Sequence, residues 1–308
     1  MQVSFIVPLF NCLPYTQAMV ASLRATLPAG LEHEIVLVDD GSTDGTRDWL
    51  GGLKAPYRVV LNERNLGYAG ANNRGAAVAQ GDLLVLLNND LILTRGWLQP
   101  MQALERRLEA RAGVIGNVQL NAATGAVDHA GLFINHQGKP EHIRSRGPWL
   151  RGARRVPAVT GACCLIQKNL WQELGGFDEG YINGCEDVDL CFRAEAAGRL
   201  NAVALRSVVR HHVSASPGRK LRDEANTYRL TRRWRERLTL LGQRDWCRAH
   251  FEQFLPEPRN YPDPQLARAI ALYRLGLKRR PPRRAAEGMR AALATETNRW
   301  HAIFRAPV

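Results

Sequence analysis

The chain has 308 residues, 45% hydrophobic and 23% charged, which fits one large α/β domain with an appendage and excludes a disordered or fibrous protein. Its formal charge of +13 is unevenly placed: residues 1–216 carry 21 Lys+Arg against 20 Asp+Glu (+1), and residues 217–308 carry 21 against 9 (+12). The near-neutral body excludes a protein that coats nucleic acid with uniform positive charge. The central apolar run, Leu83–Leu87, is far short of the ~20 residues a membrane span needs. The start of the chain lacks a basic region, and Pro8 and Asn11 interrupt its apolar stretch, so no signal peptide is expected. Six cysteines at 12, 163, 164, 185, 191 and 247 form no C-x-x-C pair, as expected for reduced, mostly buried thiols.

Val3–Val7 reads as a strand stopped by Pro8, and Tyr15, Met19, Leu23 and Leu27 then recur along one helix face. Glu34–Val38 is a second strand, followed by the polar turn Asp39–Gly45 and a helix through Trp49 and Leu50 ending at Gly51-Gly52. Arg58–Leu61 predicts a third strand and Gly70–Ala79 a helix. Leu83–Leu87 predicts a strand buried on both faces, and Trp97–Ala110 a further helix before the strand Val114–Val118. Residues 120–160 read as irregular. Val159–Gln167 then restores a strand, Leu170–Leu174 a short helix, and a helix opening at Glu186 buries Val188, Cys191, Ala194 and Ala197. Alternation of this kind predicts βαβ units and a mostly parallel sheet flanked by helices. Beyond Ser216 the pattern turns to Arg- and Ala-rich helices broken at Pro256–Pro264 and Pro281-Pro282, so domains of 1–216 and 217–308 are expected.

In parallel sheets, ligands sit beyond the carboxyl ends of the strands. Asn11, Asp39-Asp40 and Asn88-Asn89-Asp90 occupy three such ends. Solvated loops explain any one of them, but the coincidence favours a binding edge. Within Asp39–Gly45, helix capping by Ser42 or Asp44 accounts for the acids as well as ligand binding does. Asn65–Gly70 is not G-x-G-x-x-G and follows the third strand, which disfavours a dinucleotide fold; its glycines also suit close packing of a helix start. A hard divalent cation bridging a diphosphate needs only one or two protein oxygens, and Asp90 offers a carboxylate where Asn88 offers a carbonyl. Glu186, Asp187 and Asp189 suit a helix N-terminus, yet three adjacent acids also make one a candidate general base. His211-His212 supplies candidate metal-binding imidazole.

The ordered set Ile6-Val7-Pro8…Asn11, Val38–Thr46, Asn65-Leu66-Gly67…Asn72-Asn73, Leu87–Asp90, Gly175–Glu179 and Glu186–Leu190 resembles the family 2 glycosyltransferases of GT-A fold, across residues 1–216. The likeness is to the bacterial branch with rhamnosyltransferases and surface-polysaccharide enzymes. It implies that Pro8, Asn11, Asp40, Gly67, Asn73, Asn89 and Asp90 line the nucleotide-sugar pocket, with Asp40 reading the base. Asp90 matches the last acid of a D-x-D motif whose first acid is here Asn88, and His211 matches the histidine that completes a Mg²⁺ or Mn²⁺ site. Asp187 matches the catalytic base, with Glu186 beside the acceptor.

The resemblance therefore implies an inverting, metal-dependent transfer from a UDP- or dTDP-linked sugar to a glycan or lipid-linked hydroxyl, at the cytoplasmic side. A catalytically silent nucleotide-sugar-binding module and a nucleotidyltransferase stand as alternatives; Asn88 favours the first, and the absence of a basic Gly-rich N-terminal loop disfavours the second. The C-terminal extension lies outside the resemblance. Its helix Leu221–Leu241, with Trp234, Leu238 and Leu241 on one face among many arginines, predicts a helix packed on the catalytic domain with arginine stems laid over apolar surface, or a segment seeking an anionic membrane. No nucleic-acid partner is expected.

Overall fold

The protein is described by a computed structural model at residues 2–146, 152–212, 220–254 and 263–305. The boundary expected at 216/217 and the proline interruption as far as residue 262 lie outside the described residues. The chain divides into two compact units: Met1–Leu132 with His142–Arg222, and Phe133–Glu141 with Asp223–Val308.

The first unit is built on one large sheet. Its opening half runs β1 (Val3–Leu9), α1 (Leu13–Thr26), β2 (His33–Asp39), α2 (Thr46–Gly51), β3 (Tyr57–Leu61), α3 (Gly67–Val78) and β4 (Leu83–Leu87). The strands of this half are parallel in the order β3-β2-β1-β4, as right-handed βαβ crossovers dictate. All five residues of β4 are buried, the signature of a strand covered on both faces. Pro8 has no N–H to give to a ladder; it sits just beyond the last β1–β4 pair, Ile6 with Leu86, and faces only Val38 of β2. Helix α3 starts at Gly67, three residues before the expected Gly70, and lies close to the sheet. A Cβ on Gly75 would come within 2.5 Å of Ile6 Cγ2 and 2.9 Å of Val38 Cγ2, so glycine lets the helix approach β1 and β2.

Beyond β4 the parallel pattern gives way to a mixed sheet. The following elements are β5 (Leu91–Leu93), α4 (Leu98–Leu108), β6 (Ala112–Asn121), the short strands β7 (Val127–His129), β8 (Leu132–Ile134), β9 (Pro140–His142) and β10 (Ala153–Arg155), then β11 (Cys163–Gln167), α5 (Lys168–Leu174), α6 (Glu186–Ala196) and β12 (Leu200–His211). Strand β11 runs antiparallel between β4 and β6, while β12 lies parallel to β6 and antiparallel to β5. The strand expected over Val159–Gln167 begins only at Cys163, because the Thr160 and Gly161 amides donate to the side chains of His129 and Asp187 and not to a neighbouring strand. The core gathers Phe5, Leu9, Met19, Leu23, Leu37, Val85, Leu98 and Met101 around Trp97, which is 1% exposed. All six cysteines are free, four of them buried.

The second unit holds α7 (Lys220–Phe254), α8 (Pro264–Arg274) and α9 (Arg283–Arg305). Helix α7 breaks its helical geometry at Trp234, where φ is −121°. In α7, Leu230 and Leu238 are fully buried, Trp234 and Leu241 are half-buried, and Leu240 is exposed. Cys247, Leu266, Ile270 and Ala285 form a small core with Trp246, Phe251 and Tyr273. Among the described residues, no helix is long and apolar enough to cross a membrane.

Candidate active site

Parallel pairing of β2, β1 and β4 brings their carboxyl ends to one edge. At the end of β1, Asn11 takes the left-handed backbone (φ 55°); its N–H donates to Ser42 Oγ at 2.9 Å and its Oδ1 accepts from Thr43 N at 2.8 Å. The next residue, Cys12, is also left-handed (φ 60°), and Leu13 N donates to Asp44 Oδ2 at 2.9 Å. Burial would raise the Asp44 carboxyl, but hydrogen bonds from Thr46 and from the Leu13 N–H prevail and hold it below the usual range. Strained non-glycine backbone at a ligand edge is stored where the surroundings over-determine it.

The two acids at the end of β2 serve the loop architecture. Asp39 is fully buried and pairs with Arg47 Nε at 2.7 Å. Asp40, 3% exposed, accepts from Asn62 Nδ2 (2.8 Å), Leu66 N (2.9 Å) and Gly67 N (2.9 Å). Tyr68 N donates to Asn183 Oδ1 at 3.0 Å. The first amides of α3, which a phosphate loop would leave open to an anion, are therefore occupied by side chains, consistent with the dinucleotide fold being disfavoured. Asn73 is turned to another part of the unit: its amide exchanges hydrogen bonds with the Phe177 backbone (3.0 and 2.9 Å) and donates to Glu179 Oε1 (2.8 Å). Asn89 donates to Thr16 Oγ1 of α1 at 2.9 Å.

Asp90 and His211 are brought together by the sheet. Residues 91–93 turn directly into β5, which pairs with the end of β12 so that Leu91 faces His211, and His212 N donates to the Asp90 carbonyl at 3.1 Å. His211 Nε2 consequently lies 3.1 Å from Asp90 Oδ1, both side chains mostly buried. The approach lacks hydrogen-bond alignment, and Asp90 Oδ1 and Asn88 Oδ1 are both buried without a hydrogen-bond partner. Buried polar atoms in that state call for an explanation. Two neighbouring ligands on an octahedral ion with bonds of about 2.1 Å stand about 3 Å apart. A carboxylate, an imidazole and an amide oxygen fit a divalent cation that takes its other ligands from phosphate and water. Among the described residues, no group of three or more His, Cys, Asp and Glu gathers to make a metal cage, so such an ion would need the ligand's oxygens.

The acids opening α6 do not share one environment. Asp189 is fully buried against Arg193 (2.7 Å), and Glu186 Oε2 accepts from Gly184 N at 2.6 Å. Asp187 Oδ2 accepts from Gly161 N at 2.8 Å and Oδ1 from Val188 N at 2.8 Å, which fixes the carboxylate while leaving further lone pairs. Gly161 is the residue the sequence reading missed. Its carbonyl accepts from Tyr68 Oη at 2.7 Å, and a Cβ there would stand 2.8 Å from that oxygen. Burial, then the neighbouring Cys164, Glu186 and Asp187, pushes the Tyr68 phenol well up and keeps it a donor.

On either side of Gly161, Thr160 N donates to His129 Nε2 (3.3 Å), and Ala162 O accepts from Asn88 N (2.8 Å). Three consecutive residues, Thr160–Ala162, thus join the Asn88–Asp90 strand end to Asp187. Burial, with His142 and His211 adding to it, pushes His129 well down. This neutral ring receives N–H donors from both Gly131 (3.1 Å) and Thr160.

The model of glycosyl transferase family 2 matches residues 4–175. An O-antigen biosynthesis protein of Myxococcus xanthus, RfbC, is 30% identical over 227 residues, 70% of this chain and 18% of that protein. An N-acetylglucosaminyl-diphospho-decaprenol L-rhamnosyltransferase of Mycobacterium tuberculosis is 28% identical over 239 residues, covering 67% of this chain and 74% of that one. Among solved structures, GalNAc-T7 with UDP, GalNAc and Mn²⁺ superposes with TM-score 0.64 at 18% identity, over 87% of this chain and 53% of that one, and so shares the fold. The chain spans 27%, 18% and 32% of three of the curated proteins it matches. The matched model covers more than half of the sequence, including the strand ends that carry Asn11, Asp40 and Asp90, and the chain belongs to glycosyl transferase family 2.

Proposed function

We propose that the protein transfers a sugar, with inversion, from a UDP- or dTDP-linked donor to a hydroxyl of a glycan or lipid-linked acceptor in surface-polysaccharide synthesis, acting from the cytoplasmic side. The observation that carries this reading is the convergence of Asp90 and His211 at one strand edge, linked through Thr160–Ala162 to Asp187. Its relatives in O-antigen and decaprenol-linked sugar transfer, and a fold neighbour holding UDP and Mn²⁺, support the donor and acceptor classes.

Asp90 and His211, with the Asn88 carbonyl, are the residues to hold Mg²⁺ or Mn²⁺ against the donor diphosphate. Bound there, such an ion supplies a Lewis acid that offsets the charge gained by the departing nucleoside diphosphate. Asp187, held by the Gly161 and Val188 amides, accepts the proton of the acceptor hydroxyl as that oxygen bonds to the anomeric carbon. The carbon–oxygen bond to the diphosphate breaks in the same displacement, its electron pair leaving with the diphosphate, so configuration inverts. Glu186 stands beside Asp187 on the acceptor side. Pro8 and Asn11 border the nucleotide. Asp40 acts on the nucleotide pocket through the Leu66–Gly67 amides it holds, and Asn73 and Asn89 brace the loops around it.

NMR of the product tests the mechanism: an inverted anomeric centre, with Asp187→Asn slowing turnover about 10²–10⁴-fold while donor binding persists, is expected. Retained configuration would overturn it. Donor binding without turnover by the wild type, across glycan and lipid-linked acceptors, would favour the silent binding module.

A further inference from the structure

The turn between α8 and α9 carries a feature that sugar transfer does not use. Helix α8 closes with a Schellman motif: Gly276 N donates to Tyr273 O (3.0 Å) and Leu277 N to Leu272 O (2.9 Å), with Gly276 in the left-handed region (φ 75°). In such a cap the apolar residue after the glycine usually packs back on the helix. Here Leu277 is 71% exposed and Leu275, on the other side of the glycine, is 73% exposed. The fixed hydrogen bonds hold both leucines outward on a short, defined turn.

The same segment is a block of positive charge. Residues 274–284 contain six cations (Arg274, Lys278, Arg279, Arg280, Arg283 and Arg284) and no acid. Arg284 is engaged by Asp263 at 3.0 Å, and Arg274 lies over the Phe251 ring at 5.1 Å. Lys278, Arg279, Arg280 and Arg283 are exposed and have no acidic partner among the described residues.

We propose that the α8–α9 turn docks on an anionic lipid bilayer, with Leu275 and Leu277 entering the headgroup–acyl boundary while Lys278, Arg279, Arg280 and Arg283 meet lipid phosphates. Aliphatic side chains on a cationic tip match the chemistry of such an interface. Nucleic acid offers the leucines no counterpart, and the segment has no aromatic ring on which bases could stack. Helix α7, the other basic candidate, has Leu230 and Leu238 fully buried. This assignment is independent of the transferase reading.

Flotation of the whole chain with vesicles tests it, using phosphatidylcholine alone, phosphatidylcholine with phosphatidylglycerol, and a single-stranded DNA competitor. Binding is expected only to the anionic vesicles and should fall with salt. Each neutralised cation near the surface should cost about fivefold in partitioning, so K278Q/R279Q/R280Q/R283Q should abolish flotation. Leu275→Ser with Leu277→Ser keeps every charge and should lower partitioning about tenfold or more. These residues are exposed, and unchanged melting curves would show that both variants fold. Wild-type binding that is absent, equal on neutral vesicles, displaced by DNA, or untouched by the leucine changes would overturn the proposal.

Discussion

The Gly161–Tyr68 pairing makes a prediction whose size follows from distances. In Gly161→Ala the new Cβ would stand 2.8 Å from Tyr68 Oη and 3.2–3.3 Å from two ring carbons, so the ring or the loop must shift. The phenol is bonded to the Gly161 carbonyl and its ring packs 5.6 Å from Phe177, so neither movement is free. Overpacking of this kind costs about 1–3 kcal/mol. Tyr68→Phe removes the closest atom but strips the buried Gly161 carbonyl of its hydroxyl donor, again at about 1–3 kcal/mol. In the double variant the remaining contacts need only a few tenths of an ångström of relief. The two changes should therefore cost less together than the sum of the single costs, by about 1 kcal/mol. Urea unfolding of the four proteins measures this directly. Strict additivity would refute the claim that the phenol and residue 161 share one tight contact. Gly161→Ala should also lower turnover, because its N–H orients Asp187.

Asp90→Asn and His211→Ala should each weaken Mn²⁺-dependent donor binding at least about tenfold, the scale on which even outer partners of a metal ligand act. Calorimetry with UDP reads this, and unchanged metal dependence in both variants would remove the site. His129 supplies a pH test. Its folded value lies well below 6.5, so between that value and 6.5 the unfolded chain binds a proton that the folded chain does not. Stability should fall as pH drops below 6.5, with this group contributing up to ~1.4 kcal/mol per pH unit. His129→Gln should flatten that slope, leaving the smaller share of His250, which burial also lowers. An identical slope in the variant would refute the assignment.

The polar edge of the sheet is legible because strand ends are local: buried runs such as Leu83–Leu87 stop at polar residues, and parallel pairing then lines up Asn11, Asp40 and Asp90. The approach of His211 to Asp90 depends on β5, a three-residue strand too short to read, pairing with the far end of β12. Gly161 went unread as a junction because Val159–Gln167 has strand composition; its hydrogen bonds run to Tyr68 and Asp187, 93 and 26 residues away. A lone glycine inside an apolar run was the available signal, since it marks close approach by other atoms. Asp40 and Asn73 show the converse limit. Motif position implies a place near a nucleotide pocket, but only the folded chain shows that their polar atoms are spent on Asn62, Leu66, Gly67, Phe177 and Glu179.

The most direct test of the central claim is nucleoside-diphosphate release from a panel of UDP-, dTDP- and GDP-sugars. It would be measured with wild type and Asp187→Asn, in Mg²⁺, Mn²⁺ or EDTA, with glycan and lipid-linked acceptors present. Turnover of a UDP- or dTDP-sugar that needs the metal and the acceptor and is lost in the variant is expected. Turnover that survives EDTA, or that Asp187→Asn leaves intact, would contradict the claim.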